Sequence, residues 1–162
     1  MFTYELVGIA ILVVQLLIIL IALVAASYYD LKKGIIPVEI TLTLCVIGFF
    51  SSLFPDLYWK IIMAAMFLVI ATPLYYKKVL GGGDIKLIVG LIMMLPLMFT
   101  TPNFYLLFGL FSCIAGLALY ALFKYVLKNE KLVEEASIRF APALLIGWVV
   151  ATAITLVGLL WV

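Results

Sequence analysis

The stretch "YYKKVLGGGDIKLIVG", residues 75–90, decides how the chain is read. An apolar run ends in two lysines, three glycines follow, and Asp84 stands at the mouth of the next apolar run. Outward from it the chain stays strongly apolar. Its 162 residues are 69% hydrophobic and 11% charged, with a mean hydropathy of +1.39. A soluble domain of this size needs far more polar surface, so the composition indicates an integral membrane protein. The apolar runs are long and uninterrupted rather than short and alternating, which predicts helices and not a barrel.

Six spans are predicted, at about 5–28, 36–54, 58–76, 84–99, 104–127 and 138–161, all in a single domain covering 1–162. The breaks "DLKKG", "PDLYWK", "KKVLGGG", "TTPN" and "KNEKLVEEAS" carry turn or charge signals. The first run begins with Glu5 and lacks a basic leader, so it reads as a retained span. Lys32, Lys33, Lys77, Lys78, Lys86, Lys124, Lys128, Lys131 and Arg139 fall after spans one, three and five, and Lys60 alone falls on the other side. This asymmetry assigns the first side to the cytoplasm and both termini to the outside.

The chain has no histidine, which excludes Ser-His-Asp and Cys-His nucleophile systems and argues against a transition-metal site. Cys45 and Cys113 lie in apolar runs without a C-x-x-C pattern, so neither zinc nor a disulfide frame is indicated. No metal or other cofactor is expected. A net charge of +2 with no long basic cluster gives no reason to expect nucleic acid as a partner.

Of the eight acidic residues, Glu5 and Asp56 fall at the outer surface, and Glu130, Glu134 and Glu135 in the one long polar loop. Glu39 opens span two, where a carboxylate suits a helix N-terminus. Asp30 and Asp84 remain, one at the end of a span and one at the start of another, both on the cytoplasmic side. From Asp84 to the end of span four is roughly 24 Å of helix, less than a bilayer core of about 30 Å. Asp84 is therefore expected to be recessed, with Gly81, Gly82 and Gly83 as a flexible, hydrated ledge that lets a peptide lie close to the backbone. An aspartate after glycines is also a common helix cap, but two ionisable groups at one depth in so apolar a chain point to function.

"YYDLKKGIIP" (28–37) followed by "GGGDIKL" (81–87) resembles the type IV prepilin and archaeal preflagellin peptidases, membrane aspartic proteases with a GxGD motif. Asp30 with Ile36 and Pro37 matches their first motif, and Gly81 to Asp84 with Lys86 and Leu87 their second. "RFAPALLIG" (139–147) resembles their last apolar segment. Tyr29-Asp30 and Pro142-Ala143-Leu144 are more distantly similar to presenilin and signal peptide peptidases. The family often has Asn after the Ile-Pro proline, where this chain has Val38. The cysteine-bearing insert that many bacterial members link to N-methylation is missing from the sequence.

The resemblance implies an all-α, six-span aspartic peptidase whose catalytic residues are Asp30 and Asp84. It implies site-shaping or substrate-binding roles for Gly81, Gly82, Gly83, Lys86, Tyr29 and Pro37. It further implies cleavage of pilin-like or archaellin-like precursors at the cytoplasmic face of the cell membrane, without methyl transfer. Helix dipoles favour charge on Asp84, which starts a helix, and disfavour it on Asp30, which ends one. The acidic "EKLVEEA" loop is a candidate attractor for a basic leader, or a merely solvated loop. Two other classes compete. A proton- or ion-coupled transporter would use the aspartates as a relay, but internal repeats and a midplane site are not seen. A structural subunit would use them only as caps.

Overall fold

The computed structural model describes residues 2–52, 54–77, 80–96, 102–122 and 140–160. These form six helices: α1 (Phe2–Lys33), α2 (Val38–Ser51), α3 (Phe54–Tyr76), α4 (Gly82–Met94), α5 (Pro102–Ala121) and α6 (Phe140–Leu160). Among the described residues there is no strand. By length and composition, Gly8–Lys33, Leu57–Tyr76 and Phe140–Gly158 can each cross a membrane, and Val38–Ser51 and Leu107–Leu119 are shorter apolar helices. The protein is an all-helical integral membrane protein. The loop with Glu130, Glu134 and Glu135, together with Lys78, Lys124, Lys128, Lys131 and Arg139, lies outside the described residues.

Helix α1 runs past the predicted end of span one, so Asp30 sits inside its last turns. Lys32 and Lys33 complement the negative end of its dipole. Gly34 then stops the helix at φ 67°, the one positive-φ glycine among the described residues, and its N–H bonds to the Asp30 carbonyl at 2.9 Å. A Cβ is disfavoured in this left-handed conformation, which explains a glycine here. Pro37 caps α2 at φ −59°, where its missing N–H costs nothing because no helical acceptor is available.

Helix α4 is the buried centre. Asp84, Leu87, Ile88, Gly90, Leu91, Ile92 and Met94 are all buried, and the helix packs against α2, α3 and α1. Lipid is as apolar as leucine, so this association depends on close packing rather than on escape from water. Small residues supply the closeness. A Cβ added at Gly48 would stand 2.5 Å from the Met93 carbonyl oxygen, and one at Gly90 would stand 3.1 Å from the Leu44 Cβ. Helices α5 and α6 form the tightest pair, with Ser112 against Gly147 and Gly116 facing Ala143.

The polar ends follow from this packing. Asp30 contacts the start of α6, Ile36 lies against Gly83, and Tyr75 near the end of α3 lies against Gly82. Lys32, Lys33, Lys77 and Lys86 thus gather at the aspartate end. Lys60 is at the opposite end but is not a surface charge: it is 2% exposed and donates to Ser52 Oγ at 2.7 Å.

Candidate active site

Asp30 and Asp84 meet at one end of the bundle. Both line a cavity of about 350 Å³, together with Gly34, Ile35, Ile36, Val38, the three glycines and Lys86. Each carboxylate is buried, at 6% and 7% exposure, and the two lie close enough to interact electrostatically. The chain segment between α1 and α2 forms one wall and the start of α4 the other.

Asp84 is held by its own helix. It is the third residue of α4, and its Oδ2 accepts the N–H of Gly81, the residue that caps the helix, at 3.1 Å. This is the carboxylate half of a capping box, so the cap reading and the site reading describe the same residue. The expected glycine ledge takes a different form. Gly82 and Gly83 are already helical, and Gly81 is extended at φ −75° and ψ 152°. None of the three needs positive φ; what they provide is room. A Cβ at Gly83 would stand 3.3 Å from the Ile36 Cβ, and one at Gly81 would stand 3.0 Å from Asp84 Oδ2. The start of α4 can therefore press against the Ile36 segment, which brings the two aspartates to one cavity.

Asp30 is held by a helix distant in sequence. Its Oδ2 accepts the Ala141 N–H at 3.2 Å. Ala141 lies in the first turn of α6, where backbone N–H groups lack helical acceptors and the dipole is positive. Asp30 therefore ends one helix while facing the start of another. The dipole contrast expected between Asp30 and Asp84 does not hold, since each receives an N–H from a helix N-terminus.

The remaining candidates divide. Lys86 is exposed and lines the cavity. Tyr29 and Pro37 are not among the lining residues. The Tyr29 ring lies 5.3 Å from Lys33 Nζ and edge-on to Tyr28 at 5.7 Å, an interfacial anchor typical of span ends. Pro37 acts as the α2 cap. Sequence reasoning missed Gly34, Ile35 and the Ala141 amide. The "KKG" ending of α1 is a readable helix-stop signal for Gly34, whereas Ala141 carries no signal because only its backbone acts. Among the described residues no group of His, Cys, Asp and Glu could hold a metal ion.

Comparison with curated proteins gives no match, and comparison with solved structures gives none. A model of the type IV leader peptidase family matches residues 17–122. The matched region contains both aspartates and all three glycines, and it stops before α6, the helix that supplies the Ala141 amide. Covering more than half of the chain, this match places it in a family of membrane proteases: the protein belongs to the type IV leader peptidase family.

Proposed function

We propose that the chain is an aspartic leader endopeptidase that uses Asp30 and Asp84 as its catalytic pair. The observation carrying this reading is the burial of two carboxylates in a single cavity, in a member of a leader peptidase family. Two carboxylates close enough to share a proton activate a water and polarise a peptide carbonyl without a covalent intermediate, one as base and the other as acid. The backbone amides of Gly81 and Ala141 act as positioning donors that orient the carboxylates.

The substrate is a pilin-like or archaellin-like precursor with a short basic leader, cut at the cytoplasmic side of a six-span protein whose termini face outward. The lysine distribution supports that orientation. Cleavage proceeds without N-methylation. An ion relay accounts for two buried acids as well, but family membership favours hydrolysis.

The test is co-expression of tagged pilin-type precursors with wild type, Asp30→Asn or Asp84→Asn. Either substitution is expected to lower cleavage by about 10²–10⁴-fold, the usual contribution of a general acid or base, while membrane insertion is kept. Undiminished cleavage by well-inserted Asn variants would refute the catalytic pair.

A further inference from the structure

A second cavity of about 320 Å³ opens between α1 and α2. Ile18, Ala22 and Ala25 of α1 and Ile40 and Leu44 of α2 line it, together with Glu39 from the first turn of α2. Consecutive residues at the start of α2 line the two cavities, Val38 the one that holds the aspartates and Glu39 the groove. Ala25 and Ile18 lie five and twelve residues before Asp30 on one continuous helix, so the groove runs from roughly 7 to 18 Å below the aspartate along the bundle. That is room for about two turns of a guest helix whose cytoplasmic end would reach the aspartates.

Glu39 is exposed, and among the described residues it makes no ion pair. The groove thus joins an apolar wall to one negative charge at the start of α2. An apolar polypeptide helix with one cationic side chain at its cytoplasmic end satisfies both parts.

We propose that the α1–α2 groove seats the apolar helix of the precursor, with Glu39 pairing to a cationic side chain beside the bond that is cut. The proposal rests on the peptidase reading for the identity of its guest, and it makes Glu39 a specificity-determining residue. It also explains the two small residues Ala22 and Ala25 on a face where α1 otherwise carries Ile18 and Ile21, since a second helix needs small side chains to approach closely.

The full chain in phosphatidylglycerol–phosphatidylcholine vesicles tests this with two synthetic peptides. One has a single lysine ahead of about 20 leucine and alanine residues, and its counterpart has glutamate in place of the lysine. A photo-crosslinking side chain is placed at Ala22 in the groove or, as a control, at Val69 on α3, which is 75% exposed. The lysine peptide is expected to label Ala22 more than Val69, and to label Ala22 up to about fivefold more than the glutamate peptide does, the upper size of an exposed ion pair. Glu39→Lys is expected to reverse the preference toward the glutamate peptide, which misfolding cannot do. Equal labelling at both positions, or indifference to the charge at 39, overturns the proposal and leaves the groove to lipid. Capture of the lysine peptide by a chain that cleaves no precursor would break the peptidase reading and leave the groove standing. Cleavage without groove preference would do the reverse.

Discussion

The two ends of the bundle both bury polar groups, and they satisfy them differently. At the end away from the aspartates, side chains bond to one another and to helix carbonyls. Lys60 donates to Ser52 at 2.7 Å, Ser52 donates to the Gly48 carbonyl at 2.6 Å, and Gln15 donates to Ser51 at 3.2 Å. The network links the middle of α1 to the end of α2 and the start of α3. At the aspartate end, each carboxylate takes a backbone N–H from a helix start and lines a cavity. A network of side-chain donors and acceptors uses up polar capacity to hold helices together. A carboxylate anchored by a backbone amide is instead oriented within a cavity. On the proposed function, burying polar groups serves stability at one end and reactivity at the other.

This contrast can be sharpened by substitution. After the aspartate changes, the largest effect is expected from Ala141→Pro. Proline is tolerated in a first helical turn but removes the donor to Asp30, and a hydrogen bond to a charged group is worth about 1.5–3 kcal/mol. The expected result is a kcat about 10- to 100-fold lower with KM retained, measured on a precursor that wild type cuts. A fall in melting temperature with kcat intact would show that the amide serves only the fold.

Lys60→Met probes the other end. It removes the charged donor to Ser52 and is expected to cost about 1–3 kcal/mol of stability, read as earlier thermal unfolding in detergent, with kcat unchanged. A specific loss of kcat at permissive temperature would mean that the two ends are coupled. The smallest effect is expected at Gly34. Its φ of 67° makes Gly34→Ala cost about 1–2 kcal/mol of backbone strain, borne locally by the α1–α2 connection. Since Gly34 also lines the cavity, the expected signature is a modest rise in KM together with slightly earlier unfolding.

Much of this architecture was legible in the residues because local chemistry carries it. The triglycine before Asp84 announced a helix start where backbones approach, and the lysines after span one announced a helix end. Glycine flexibility was the wrong physical reason for the triglycine: two of the three are helical, and their use is the contact with Ile36 and Tyr75. In the sequence Lys60 is only the one basic residue on its side of the charge pattern. Its burial depends on Ser52 at the end of the neighbouring helix.

The sequence by itself determined that the chain is helical and membrane-borne, and it put forward two aspartates at helix ends as the candidate site. Those properties follow from hydropathy, from charge asymmetry and from residue types at short spacing. Tertiary structure decided which backbone amide holds each carboxylate, where the cavity and the α1–α2 groove open, and which lysine is buried. These depend on contacts between residues far apart in the chain. Asp30 and Ala141 meet because α1 and α6 pack together, and no local pattern records that a main-chain N–H will face a distant carboxylate.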